Sequence, residues 1–369
     1  MVVTYFLGNG FDIGLGLNTR YSDFVKSYIK HRDDEMPLIQ YFKEYVSKEI
    51  GENISTWADA EKRFGELPFS DFADKFEMSV EDVLLELDAD FQNELTKYLK
   101  VEEQRFFERS DDMLSYGKML LKSGIAAWVD VAENELIEQP EDISLNFISL
   151  NYTRTLEALF GVKDVTDSTA NLDMELEIVD GEFPPVRLNS ISHAHGNLGE
   201  RFRLFGVDNV DQIADKEARE VCERMGYLIK KEQDADGTIG AREHCVDVLK
   251  KSDWIITLGV SFGITDVFWW ETISNVILNH TTRLILSPFS SNAFAARSQN
   301  ELIGRRRKNE ERFFRRLSPL FRSVSLGSIK PSVYVMDYGP HNYLGTGPTF
   351  CDPLNLEYIK NATTSKNIK

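Results

Sequence analysis

Hydrophobic positions follow two periods along this chain. Val2 to Leu7 is an unbroken β-prone run that ends in Gly8-Asn9-Gly10. A short apolar run bounded by turn residues predicts a buried strand. Tyr21, Phe24, Val25 and Tyr28 then recur at helical spacing. A strand, a glycine turn and a helix in succession build the nucleotide cradle of α/β proteins. Glycine lets backbone approach a phosphate closely, because no Cβ intervenes.

From 31 to 140 the helical period dominates. Ser79 and Asp82 form a capping box, and Leu84, Leu87, Phe91 and Leu95 follow at helical spacing, predicting a helix over 80–99. Leu121, Ile125, Trp128 and Ala132 predict another over 115–138, stopped by Pro140. Shorter helices are expected at 37–49 and 57–65. Strand signals return at Leu145–Leu150, near 187–194, at Arg203–Phe205, at Trp254–Leu258 and at Arg283–Leu286. Helices near 153–161, 240–251 and 265–279 alternate with them, and 229–241 reads as a loop. This alternation predicts an α/β fold: a doubly wound, mostly parallel, Rossmann-like sheet with a large helical insertion. The expected division is 1–30 plus 141–350 for the nucleotide-binding domain, 31–140 for the insertion and 351–369 for a tail.

Composition narrows the function classes. The net charge is −18, which disfavours unspecific binding to nucleic acid or anionic lipid. No apolar run reaches the ~20 residues of a membrane helix, and no signal peptide is read at the start, so a cytoplasmic protein is expected. Cys222, Cys245 and Cys351 form no CxxC pair, so no structural zinc site is expected. The basic run of Arg305, Arg306, Arg307, Lys308, Arg312, Arg315 and Arg316 reads as a solvated helix face or as a phosphate contact.

Four segments sit where strands end, the place where ligands bind in such sheets. Gly8-Asn9-Gly10-Phe11-Asp12 lacks the third glycine of the dehydrogenase fingerprint. Asn151 in Leu150-Asn151-Tyr152-Thr153 caps a helix or presents a carboxamide to a ribose hydroxyl or a water. His193 and His195 alternate onto one face, as core residues, a general base or a metal pair. Gly259 and Ser261, followed by Thr265 and Asp266, make a second turn suited to phosphate or ribose.

Together these landmarks resemble the abortive-infection AbiH family of bacterial anti-phage proteins. The resemblance rests on Gly8–Phe24, Trp57–Glu61, Phe147–Glu157, His193–Leu198, Leu204–Asn209 and Leu258–Asp266. More distantly, the same residues resemble the sirtuin-like NAD-binding fold. That resemblance implies Gly8 and Gly10 as the first turn, Asn151 as the ribose-orienting amide, His195 with Gly196 as the base motif, and Gly259 with Ser261 as the second turn. Residues 16–21 would cover the nicotinamide. Asp12 stands where the pattern has Ser, and Thr153 where it has Asp.

The resemblance therefore implies an effector that binds NAD as substrate and hydrolyses its nicotinamide–ribose bond, with no metal. Catalysis falls to His195, Asn151 and Asp12. Asn9, Thr153 and Asp266 join the glycines and Ser261 in contacting the ligand, and Glu61 is a further source of negative charge. Deacetylation is disfavoured, because the four-cysteine zinc module is missing. The implied partners are a nucleotide and either a second copy or a defence-system protein. Two rivals stay open. One is a metal-dependent nuclease using His193, His195 and a carboxylate such as Asp208. The other is a nucleotide sensor without turnover.

Overall fold

A computed structural model describes residues 1–30, 36–109, 140–162, 169–176, 185–200, 204–233, 241–261, 263–279, 281–287 and 333–335. The segment expected as a helix over 115–138, the basic run at 305–316 and the tail at 351–369 lie outside these residues.

The protein is built on a mostly parallel sheet. Its described strands are β1 (Val2–Leu7), β2 (Ile143–Ser149), β3 (Thr169–Leu176), β4 (Val186–His193), β5 (Trp254–Leu258), β6 (Arg283–Ser287) and β7 (Val333–Val335). They lie in the order β3-β4-β2-β1-β5-β6-β7. Every neighbouring pair is parallel except β3 with β4. β3 was not legible in the sequence. It is a polar edge strand with exposed and half-buried positions, and it lacks the apolar run that marks its neighbours.

Both faces of the sheet are covered, as parallel sheets require. Val3, Tyr5 and Leu7 point to one face and Phe6 to the other. On the first face Tyr5 stacks on Phe147 with ring centroids 5.1 Å apart. Phe11 of α1 (Asn9–Gly14), and Leu156 and Leu159 of α7 (Thr155–Leu159), pack there. On the second face Phe6 meets Trp269 at 5.6 Å and Trp270 at 5.9 Å. Those tryptophans belong to α11 (Val267–Asn279), which shares this core with Cys245 and Leu249 of α10 (Arg242–Lys250).

A separate helical core lies between β1 and β2 in the chain. It contains α2 (Tyr21–Tyr28), α3 (Pro37–Glu52), α4 (Ala60–Gly65), α5 (Phe69–Phe76) and α6 (Val80–Arg109). Phe91 of α6 is its aromatic centre, meeting Phe24 at 5.0 Å, Tyr28 at 5.3 Å, Phe64 at 5.4 Å and Phe205 at 5.6 Å. The capping box forms: the Ser79 hydroxyl accepts from the Asp82 amide at 3.0 Å and donates to its carboxylate at 2.7 Å. From there α6 runs for 30 residues, well past the expected end at 99. Two more helices, α8 (Lys216–Met225) and the short α9 (Lys230–Gln233), close the layer. Leu204 and Phe205 are irregular, not part of a strand as expected; both are buried, and Phe205 packs into the helical core.

Candidate functional site

Strand register brings the sequence landmarks together. Leu7 at the end of β1 pairs with Ser149 on one side and Leu258 on the other, and Ser149 pairs with His193. The next residues of all four strands therefore emerge at one edge of the sheet. A cavity of about 1040 Å³ opens there, lined by Gly8, Asp12, Asn151, His195 and Gly259 from the strand ends and by Tyr21, Asp59 and Glu61 from the helical layer. Its volume is at the top of the range of roughly 300–1,000 Å³ usual for ligand pockets.

The glycines serve contact between two turns. A Cβ on Gly259, where φ is +67°, would fall 2.3 Å from the Phe11 nitrogen, and one on Gly8 would fall 2.8 Å from the Val260 Cα. The Gly8 amide donates to Leu258 O at 2.9 Å, and the Gly10 amide donates to Gly259 O at 2.8 Å. Both donors are thereby engaged by the neighbouring turn. Asn9 is also turned inward: its amide donates to Thr19 O at 2.8 Å, and its carbonyl accepts from the Thr19 hydroxyl. It braces residues 15–20.

Asp12 is buried at the sheet end of the cavity. The Thr155 hydroxyl donates to it at 2.9 Å, and the Thr153 hydroxyl donates to its other oxygen. Burial pushes its carboxyl up to about 6, with the bonds from Thr153, Thr155 and Asn151 working against the rise. The Asn151 amide also donates to Gly8 O at 3.2 Å, so Asn151 bridges the β1 and β2 turns.

The two histidines part company. β4 ends at His193, and His195 lies in the turn beyond it, so strand alternation no longer applies. His193 contacts Asn151 O through Nδ1 at 2.9 Å and Glu157 Oε1 through Nε2 at 2.8 Å. Two acceptors require two ring protons, which describes an imidazolium paired with Glu157. Burial alone would lower its pKa, but Glu157 and the Asn151 carbonyl leave it raised. His195 faces the other way. Its Nε2 accepts from the Trp269 indole at 3.4 Å and lies 3.4 Å from Asp266. Burial, helped by the Lys230 charge, lowers it to about 3. The shared face expected for a metal pair does not exist, since both His193 nitrogens are engaged elsewhere. Among the described residues no group of three His, Cys, Asp or Glu side chains is placed to hold a metal ion.

The far end of the cavity holds a feature that sequence reasoning missed. Lys230, in the segment expected to be a loop, begins α9 and is buried. Its ammonium donates to Glu61 Oε2 at 2.8 Å, to Asp266 Oδ1 at 2.9 Å and to Thr265 O at 3.1 Å. All three of its donors are thereby used. Burial opposes its charge, but Asp266 and Glu61 raise its pKa well above the usual value. The same ammonium sorts the two carboxyls. Burial lifts Glu61 to about 7 against the pull of Lys230. In Asp266 burial loses to Lys230, and its pKa falls. Only the Trp57–Glu61 motif and Asp266 signalled this cluster in the sequence; nothing marked Lys230.

Helix α6 holds the rim. Glu102 accepts from the Asn18 amide at 3.0 Å, and the Tyr98 hydroxyl donates to Asn18 O at 2.8 Å. The adjacent Glu103 accepts from the Arg154 backbone at 2.6 Å and from its guanidinium at 2.8 Å. One helix therefore fixes the segments that follow both β1 and β2. Ser261 is exposed at the cavity edge, and Gly196 takes a φ of +78° in the turn between His195 and Asn197.

Fold and site together define an α/β protein with a carboxylate-lined ligand cavity at the carboxyl ends of a parallel sheet. The model of the family described as bacteriophage abortive infection AbiH matches residues 4–287. That is more than half of the chain, and the protein belongs to the AbiH family. Membership points to a role in phage abortive infection. No curated protein matches the sequence. Among the described residues no helix is long and apolar enough to cross a membrane.

Proposed function

We propose that this protein is an abortive-infection effector that hydrolyses the nicotinamide–ribose bond of NAD in the cavity at the sheet edge. The observation that carries this reading is the cavity itself: large, at strand ends, and lined by Asp12, Asp59, Glu61 and Asp266. A wall of carboxylates suits a reaction in which positive charge grows on a ribose. Strand order supports the ligand class. Counted among the parallel strands alone, the order is third, second, first, fourth, fifth, sixth. That is the order of the doubly wound dinucleotide-binding sheet, whose ligands sit outside the carboxyl ends of the strands.

In this reading Asn151 holds the ribose or the attacking water beside Asp12. The C1′–N bond breaks, and its electron pair leaves with neutral nicotinamide. The water oxygen bonds to C1′, and its proton passes to Asp12, whose value of about 6 suits a base working near neutral pH. His195, held at about 3, is a weak base and is reassigned to shaping the pocket beside Trp269 and Asp266. Glycine amides engaged by the neighbouring turn leave the pyrophosphate to other groups on the rim, among them Ser261.

The test is nicotinamide release from NAD, followed by chromatography. Asp12→Asn and Asn151→Ala should lower the rate by about 10²-fold or more, in line with a lost proton acceptor. Wild-type rates in both variants would defeat the assignment. The low basicity of His195 favours one rival, a nucleotide sensor. NAD binding without nicotinamide release, unchanged in His195→Ala, would select it.

A further inference from the structure

The wall of the cavity lined by the helical layer is more anionic than the structure needs. Asp59, Glu61 and Asp266 line it together with the rings of Tyr21 and Tyr152. The one buried cation there, Lys230, is shared by two of the three carboxyls. The lining cations are committed outward, Arg20 to Asp23 at 3.7 Å and Lys62 to Glu66 at 3.1 Å.

One oxygen is left with only a long donor contact. Glu61 is buried at 5% exposure, and its Oε2 is taken by Lys230. Its Oε1 has the Tyr152 hydroxyl at 3.5 Å, but that hydroxyl gives its proton to Leu204 O at 2.7 Å. A buried carboxylate oxygen with so long a donor contact is under-satisfied and is suited to a ligand. A flat group that carries positive charge matches both the carboxyls and the rings. A flat cation satisfies the carboxyls electrostatically and is also attracted to the faces of tyrosine rings.

We infer that this wall is the subsite for a cationic heteroaromatic ring, the pyridinium of an oxidised nicotinamide dinucleotide, with Glu61 as the residue that selects the oxidised over the reduced form. The inference rests on the NAD reading and deepens it. Reduction removes the ring charge and leaves the rest of the dinucleotide unchanged, so the two forms isolate the electrostatic part of recognition. A unit charge about 4 Å from a carboxylate that shares its one counter-ion with Asp266 is worth enough, near a protein surface, for about a tenfold preference. Arrival of the cation also favours the ionised form of Glu61, whose carboxyl otherwise sits near 7. Binding of the oxidised form should therefore release protons, and binding of the reduced form should not. The charged and titratable groups around Glu61 are Lys230, Asp266, Asp59, Tyr152 and Tyr21, whose hydroxyl burial and Glu61 hold in the neutral form. Among them the ionised Asp266 keeps its charge throughout, so Glu61 is the group that gives up the proton.

The experiment is calorimetry of NAD and NADH on the whole protein at pH 7, in two buffers of different ionisation enthalpy, with position 61 wild type or Glu61→Gln, both carrying Asp12→Asn so that turnover does not add protons of its own. Support is a wild-type preference for NAD of about tenfold or more, proton release with NAD only, and a smaller preference in Glu61→Gln. Equal affinity for the two forms in wild type overturns the inference and leaves the nucleotide reading standing. Failure of both to bind overturns the inference together with that reading. The wild-type comparison does not depend on whether the variant folds. Asp59→Asn, which lies at the same rim, is a second variant expected to lower the preference by less.

Discussion

The two ends of the cavity are built in opposite ways. The Asp12 end is made of residues that directly follow neighbouring strands, and its polar atoms are saturated by local partners: two threonines and an asparagine around one carboxyl. The Glu61 side is gathered from three distant segments by one lysine, and it keeps an oxygen with only a long contact to the Tyr152 hydroxyl. The first end is rigid because register fixes it. The second is held by charge across long chain separations, and it is where a ligand changes the energy balance most. The difference teaches that a buried polar site can be positioned either by backbone topology or by a single shared ion, and that the two respond differently to mutation.

Removing the shared ion is the hardest way to break this contrast. Lys230→Met leaves Glu61 and Asp266 buried together without a counter-charge, which typically costs about 3–5 kcal/mol. A large fall in the melting temperature at neutral pH should follow. Most of it should be recovered at acid pH, where both carboxyls can bind protons. A melting temperature that does not change would show that the cluster is not structural.

Gly259→Ala attacks the register itself. The φ of +67° and the clash with the Phe11 nitrogen should together cost about 1–3 kcal/mol, or more if the turns separate. Chemical denaturation measures it, and a cost near zero would mean that the two turns are not locked together.

Asp12→Asn sharpens the comparison through pH. The folded-state value of about 6 lies above the ordinary 3.8, so the native state binds the proton more tightly than the unfolded chain. Stability on this account falls as pH rises from about 4 to about 6 and is flat above. The variant should therefore melt a few degrees higher than wild type at pH 8, and the gain should vanish near pH 4. A gain that persists at pH 4 would point to packing instead of charge.

The smallest effect is expected from Thr155→Val. It deletes one hydroxyl donor to Asp12, worth about 1–2 kcal/mol, and moves the Asp12 midpoint further up. Carboxyl titration by NMR reads the shift, and no change would mean that Thr155 does not touch the charged form.

Much of this arrangement was legible in the chain. Trp254–Leu258 is a strand with the expected bounds, because a fully buried parallel strand is a continuous apolar run between polar turns. The 80–99 helix, the start of the sheet at Val2–Leu7 and the landmarks at Gly8, Asn151, His195 and Gly259 were also legible, since local pattern and turn chemistry specify them. β3 escaped notice because its alternation is polar and its partner, β4, is supplied from elsewhere. Lys230 escaped because a lysine in a polar stretch looks solvated until its neighbours are known.

The sequence by itself therefore determined which segments become strands and helices, where the glycine turns fall and which family the chain belongs to. The elements and turns follow from periodicity and turn chemistry over a few residues, and the family from motifs spread over residues 4–287. Only the tertiary structure decided that the Gly8 and Gly10 amides face Gly259 and Leu258, that His193 and His195 separate, and that Lys230 joins Glu61 to Asp266. Each of these is a contact across more than 30 residues of chain, and hydrogen-bond partners and charge neighbours at that range are set by register and packing, which no local pattern encodes.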